Sequence, residues 1–176
     1  MLIREAREED LFSIAKVQVD CNRSTYSKIM PDKYLDNLSY ESKAKEWNEK
    51  LFNSKKTEFM YVAETDNGKI VGFASASLHR TNALFEREIH SIYILKEFQR
   101  KGIGILLIKA IVIRFTEENV KSMILWTLKD NPSRIFYETL GGKLVDKRII
   151  DRGGKKLQQI AYAWEDLSCI MEANKI

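Results

Sequence analysis

The feature that most limits what this chain can become is a strand-like stretch, apolar on both faces, that runs into a glycine-marked helix start. Between 87 and 95, Ile89, Tyr93 and Leu95 alternate with Ile92 and Ile94. A strand with no polar face belongs in the middle of a sheet that is covered on both sides. Lys96-Glu97-Phe98-Gln99-Arg100-Lys101-Gly102-Ile103-Gly104 follows, and then an apolar helical pattern from 103 to about 118. The chain therefore needs a central sheet and helices enough to cover both of its faces.

The remaining segments supply them. Residues 2–6 read as a strand, and Asp10 stands as a cap before a helix over 11–20. Residues 22–38 read as irregular with short helical turns, Pro31 opening one of them. Ala44, Trp47 and Leu51 have helical spacing over 41–52. Strands at 59–64 and 69–78 flank Asp66-Asn67-Gly68, a hairpin turn whose residues accept positive φ. A second buried strand spans 122–128, a short helix 132–140 ends at Gly141-Gly142, and two last strands flank Asp151-Arg152-Gly153-Gly154. This order predicts an α/β fold with a mixed sheet, and 176 residues without repeat or linker predict one domain over 1–176.

Composition removes several function classes. With 44% hydrophobic and 31% charged residues the profile is that of a soluble globular protein. The net charge of +4 is scattered, as in Lys43, Lys45, Glu46, Glu49 and Lys50, whereas nucleic-acid binding calls for clustered basic residues. The excess suits an anionic small ligand. Cys21 and Cys169 form no Cys-x-x-Cys pair, and His79 and His90 lack metal-ligand spacing. The expectation is a reduced, cytoplasmic protein without a metal. The longest apolar run, 103–113, is interrupted by Lys109 and too short to span a bilayer, and the first residues carry no signal-peptide pattern.

The strand-to-helix junction reads as an anion cradle, the alternative being a glycine-containing helix start that holds no ligand. Gly102 and Gly104 let a ligand approach the backbone, and the first amides of the helix have no partners within it. The helix dipole favours negative charge there, and Arg100 and Lys101 add cations. A Walker loop would need Gly-Lys-Ser/Thr, which is absent, and a dinucleotide fingerprint would need a small residue where Leu107 stands.

Two motifs and the order of elements carry a family resemblance. Gln99-Arg100-Lys101-Gly102-Ile103-Gly104 fits Gln/Arg-x-x-Gly-x-Gly/Ala, with Ile92-Tyr93-Ile94 as the strand before it. Asn131-Pro132-Ser133-Arg134-Ile135-Phe136-Tyr137-Glu138-Thr139-Leu140-Gly141-Gly142 fits Asn-x-x-(Ala/Ser)-x-x-Phe-Tyr-x-x-x-Gly. In these the chain resembles the GNAT superfamily of N-acetyltransferases. The resemblance implies a mixed, mostly antiparallel twisted sheet and acetyl-CoA as cofactor. It implies that the Ile92-Tyr93-Ile94 strand binds the cofactor, the backbone of Ile92 and Ile94 pairing with the pantetheine arm. Gln99 and the amides of Arg100, Lys101, Gly102, Ile103, Gly104 and Ile105 would hold the pyrophosphate. Asn131, Ser133 and Phe136 would also contact the cofactor, and Tyr137 would lie near the thioester sulfur. Lys96 departs from the family, where many relatives carry proline.

Acetyl transfer needs a neutral amine, donors for the carbonyl oxygen and a proton for the departing thiolate. Tyr137 is the candidate general acid, the alternative being a packed aromatic with its hydroxyl satisfied. Glu86, Glu88 and His90 are candidate bases, in step with Ile92 and Ile94 if the strand has no bulge. Glu88 aligns with an acid found in relatives and is the preferred one; an ion pair with Arg87 or Arg80 is its structural alternative. His90 reads as a structural hydrogen-bonding residue, and Trp126, Trp164 and Phe73 read as core. Residues 23–47 resemble an insert that roofs the acceptor pocket in a bacterial subgroup. Tyr26, Ile29 and Met30 would line the pocket or simply pack helix on sheet, and mixed charges here leave the acceptor's own charge open.

The resulting expectation is direct transfer from acetyl-CoA to a primary amine (small molecule, polyamine or protein amine) through a ternary complex. No cysteine near the motifs argues for an acetyl-enzyme. Competing readings are a non-catalytic acyl-CoA sensor on the same fold and a nucleic-acid-binding regulator. No nucleic-acid or membrane partner is expected, and a homodimer is compatible with the sequence.

Overall fold

The computed structural model describes residues 1–173. Seven strands form one sheet: β1 (Leu2–Glu5), β2 (Glu58–Glu64), β3 (Ile70–Ser77), β4 (Arg87–Ile94), β5 (Met123–Leu128), β6 (Lys143–Arg152) and β7 (Lys155–Trp164). Their order is β1-β2-β3-β4-β5-β7-β6. Every pairing is antiparallel except β4 with β5. The helices are α1 (Leu11–Tyr26), α2 (Asp32–Asp36), α3 (Tyr40–Leu51), α4 (Ile103–Glu117), α5 (Arg134–Thr139) and α6 (Ser168–Glu172).

Alternation along the strands divides the core in two. One face packs Ala74, Ala76, Ile89, Ile92 and Ile94 under Ile105, Ile108 and Val112 of α4, with Tyr137, Leu140 and Ile170 continuing that layer. The opposite face packs Met60, Val62, Phe73 and Tyr93 under Ile14, Val17 and Cys21 of α1 and Trp47 and Leu51 of α3. The central strands are thus covered on both sides, as their doubly apolar sequence requires.

Three details depart from the sequence reading. Helix α1 runs on to Tyr26 instead of ending near residue 20. Tertiary contacts hold its last turn, since Arg23 donates to the carbonyls of Leu35 and Leu38 at 3.4 and 2.9 Å. Asp10 does not cap α1: its carboxylate takes two hydrogen bonds from Arg4, at 2.7 and 2.9 Å, and one from the Arg7 amide. A partly buried guanidinium leaves it no freedom to turn toward the helix.

The third departure decides the site. Ser75 pairs with Ser91 but Ala76 pairs with Ile89, so His90 is an extra residue, a β-bulge. The bulge reverses the alternation. Ile89 joins Ile92 and Ile94 on the α4 face, while Glu88 joins Ser91 and Tyr93 on the α1 face. Glu88 is therefore not in step with Ile92 and Ile94.

Candidate active site

β4 and β5 pair in parallel only through Arg87–Met123, Glu88–Ile124 and Ile89–Leu125. Beyond the bulge the two strands part, and β4 turns an unpaired edge toward a wedge. A cavity of about 250 Å³ opens there, with Ser91, Ile92, Tyr93, Leu125 and Thr127 among its walls. The wedge leads toward the N-terminus of α4 at one end and to α1, α2 and the β6–β7 hairpin at the other.

At the α4 end, Arg100 at φ 58 and Gly102 at φ 79 both adopt left-handed backbone. A Cβ on Gly102 would meet nothing within 4 Å, so the loop faces open space. The first hydrogen bond of the helix is Leu106 N–H to the Gly102 carbonyl, which leaves the amides of Ile103, Gly104 and Ile105 without helical acceptors. Among the described residues neither Arg100 nor Lys101 makes an ion pair, although the Lys101 ammonium lies 5.3 Å from the Phe98 ring. These groups fit a pyrophosphate. Gly104 serves another end: a Cβ there would lie 3.1 Å from Phe136 Cζ, so its small size lets α4 and α5 approach. Gln99 Nε2 donates to the Ile94 carbonyl at 2.8 Å and closes the end of β4.

Across the wedge, the turn into α5 begins at Asn131, whose side-chain oxygen accepts from the Ser133 amide at 2.9 Å. Its Nδ2 reaches Thr127 Oγ1 at 3.0 Å and the Tyr26 hydroxyl at 3.1 Å, tying β5 to α1. Tyr137 follows on α5, only 5% exposed, with its ring on the cavity. Among the described residues no protein group accepts or donates a hydrogen bond at its hydroxyl. Burial pushes the Tyr137 and Tyr26 phenols above the ordinary range, and Tyr93 up to about 12.

At the bulge itself, His90 reaches the cavity. Its Nδ1 lies 3.3 Å from a Glu88 oxygen. Burial pulls the imidazole pKa down, but the Glu88 hydrogen bond and the charges of Glu58 and Glu88 outweigh it and hold the pKa above its usual value. Glu88 itself stands behind His90 and is not on the wall. It pairs with neither Arg87 nor Arg80, which face Glu118 and Glu86. The Glu86 carboxylate accepts from the Lys121 amide at 2.8 Å, away from the cavity.

Tyr26 and Met30 line the cavity; Ile29 does not, and instead its carbonyl accepts from Lys155 at 2.8 Å. Trp164 and Phe73 are core, but Trp126 is a half-buried wall residue with the Arg148 guanidinium 4.0 Å above its ring. Gln18, Asn22, Tyr34, Arg152 and Gln159 also face the cavity and had no local signal in the sequence. Cys21 is buried outside the wall, and burial raises its thiol to about 12, so no thiolate nucleophile is at hand. Among the described residues no helix is long and apolar enough to cross a membrane, and no group of three metal-ligating side chains occurs.

Comparison with known proteins bears on the family and the fold. The family model for the acetyltransferase (GNAT) family matches residues 3–141. An uncharacterized N-acetyltransferase, YuaI of Bacillus subtilis, is 33% identical over 96% of this chain and 95% of its own. PaiA N-acetyltransferase from Thermoplasma acidophilum, solved with coenzyme A, superposes with a TM-score of 0.67 at 21% identity, covering 90% of this chain and 96% of that one. YncA from Salmonella typhimurium, solved with acetyl-CoA, gives 0.67 at 20% identity, covering 95% and 94%.

Proposed function

Because the chain belongs to the GNAT family of acetyltransferases, we propose that it moves the acetyl group of acetyl-CoA directly to a primary amine through a complex holding both substrates. The observation that carries this reading is the wedge between β4 and β5, with the Tyr137 phenol and the His90 imidazole both on the cavity beside it. Bound acetyl-CoA supplies the electrophile, a thioester carbonyl. The amides from Arg100 to Ile105 hold its pyrophosphate, aided by the Arg100 and Lys101 charges. The freed edge of β4 at Ile92 and Ile94 takes the pantetheine arm as a strand would. The Asn131–Ser133 turn and Phe136 bound the other side.

Chemistry then needs two proton movements. As the amine nitrogen bonds to the carbonyl carbon, its proton passes to His90, which Glu88 orients and makes more basic. Amides on the opened strand edge donate to the carbonyl oxygen as negative charge develops there. As the carbon–sulfur bond breaks, the Tyr137 hydroxyl donates to the sulfur. A buried phenol stays protonated throughout the working range, so the donor is always ready. A binding-only sensor would need the cradle but neither of these groups.

The test is thiol release from acetyl-CoA against a panel of amines, with the acetylated product identified by mass spectrometry. Direct transfer gives intersecting initial-rate lines when both substrates are varied. Parallel lines would reveal an acetyl-enzyme and overturn the ternary route.

A further inference from the structure

Among the described residues no aspartate or glutamate lines the cavity. Its ionisable side chains are the bases Lys43, His90 and Arg152 and the phenols of Tyr26, Tyr34, Tyr93 and Tyr137. The acids close to the wall already have partners: Glu58, whose charge reaches His90, meets Lys50 at 3.1 Å and accepts from Ser75 at 2.8 Å. Glu46 pairs with Lys43 at 2.5 Å and lies 3.7 Å from Lys50, Asp151 accepts from the Gly154 amide at 2.9 Å, and Glu88 sits behind His90. Arg152, by contrast, makes no ion pair among the described residues; its guanidinium donates only to the Asp151 carbonyl, at 3.1 Å. Arg148 adds a second cation just outside, stacked on Trp126 and bonded to Gln159 at 2.8 Å.

Such a wall repels a polycation. It also favours the neutral, reactive form of a bound amine, because nearby positive charge lowers an ammonium pKa. What it lacks is an anion. The roof is also closed: Lys155 bridges to the Ile29 carbonyl at 2.8 Å, and Gly153 packs so closely on Tyr34 that a Cβ would lie 2.9 Å from the tyrosine Cβ. The space of about 250 Å³ must hold both the acetyl end of the donor and the acceptor.

Resting on the transferase reading above, we infer that the acceptor is a small amine bearing a carboxylate, of the amino-acid class, whose anion is held by Arg152. Arg152 is then a specificity-determining residue at the tip of β6 that binds the acceptor and takes no proton in the reaction. A guanidinium offers a carboxylate two parallel N–H donors, which a lysine in its place could not match.

The experiment compares amine-dependent CoA release for free amino acids, their C-terminal amides, spermidine and an unblocked hexapeptide, with wild type and Arg152→Gln. For the best free amino acid, amidation lowers kcat/KM about 10- to 100-fold, the usual worth of a charged hydrogen bond. Arg152→Gln produces a similar loss on the acid and little further loss on the amide. Acetyl-CoA binding, followed by calorimetry, is unchanged by the substitution. Preference for spermidine or the hexapeptide, equal rates for acid and amide, or an unaffected Arg152→Gln would each overturn the carboxylate assignment while leaving the transferase reading intact. Acetyl-CoA bound without CoA release to any amine would instead remove the transferase reading, and this proposal with it.

Discussion

Tyr137 and His90 face one cavity, yet their surroundings tune them in different ways. Among the described residues Tyr137 has no charged partner; burial, and to a lesser degree the neighbouring Tyr93 phenol, raises its pKa. A thiolate has a pKa of about 8.5, well below that of this phenol, so full proton transfer to sulfur is uphill. Its benefit comes as a hydrogen bond that strengthens while negative charge gathers on sulfur. We therefore expect Tyr137→Phe to lower kcat about 10²-fold, the low end for general acids, with little change in acetyl-CoA affinity. Single-turnover kinetics and calorimetry check both halves. His90 is the opposite case, held basic by Glu88 and Glu58. Its neutral form is the base, so kcat/KM should fall as pH drops through its raised pKa. Removing the Glu88 charge lowers that pKa, so Glu88→Gln should move the acidic limb to lower pH, and His90→Gln should erase it. If Glu88→Gln erases the limb instead, Glu88 is itself the base and His90 is its support.

At the scale of elements, the two glycines of the cradle make different demands. Gly102 holds φ 79 and faces open space, so Gly102→Asp costs about 1–2 kcal/mol in backbone strain and sets a carboxylate where the pyrophosphate belongs. We expect a folded protein that no longer binds acetyl-CoA by calorimetry; undiminished binding would remove the cradle. Gly104→Ala presses on Phe136 at 3.1 Å, so any loss of binding there would report a shift of α5 as well. The contrast also shows what could be read in advance. The cradle and the Asn131–Gly142 segment are consecutive residues whose turn and helix chemistry is local, and the sequence exposes both. The bulge at His90 depends on the register against β3, which no local pattern encodes, so the condition on which Glu88 would share a face with Ile92 and Ile94 is not met. Arg152, Tyr34 and Gln159 reach the cavity only because the β6–β7 hairpin folds back onto the α1–α2 segment. Trp126 reads as core for a related reason: its strand is buried, but the neighbouring β4 parts from it.

For the whole molecule, the wedge is a structural cost as well as a site. The half containing β1 to β4 meets the half containing β5, β7 and β6 through three paired positions of the parallel ladder, whereas β5 and β7 pair at six. Helix α4 joins the halves on one face only, and on the other the contact runs through Asn131 to Tyr26 and Lys155 to Ile29. A ligand lying along β4 and anchored at α4 and α5 would bridge the gap that the strands leave. Binding confined to the folded state at 100 times the dissociation constant stabilises by about 2.7 kcal/mol. For a domain of this size each kcal/mol moves Tm by about 2–4 °C, so saturating acetyl-CoA should raise Tm by about 5–11 °C. Hydrogen exchange should slow most at the parted ends of β4 and β5 and at the first turn of α4, because those amides gain partners on binding. Gly102→Asp, melting at its own lower temperature, should show no shift. Measuring shifts, not absolute Tm values, separates lost binding from backbone strain. A stabilisation whose exchange protection left β4, β5 and α4 unchanged would place the ligand outside the wedge.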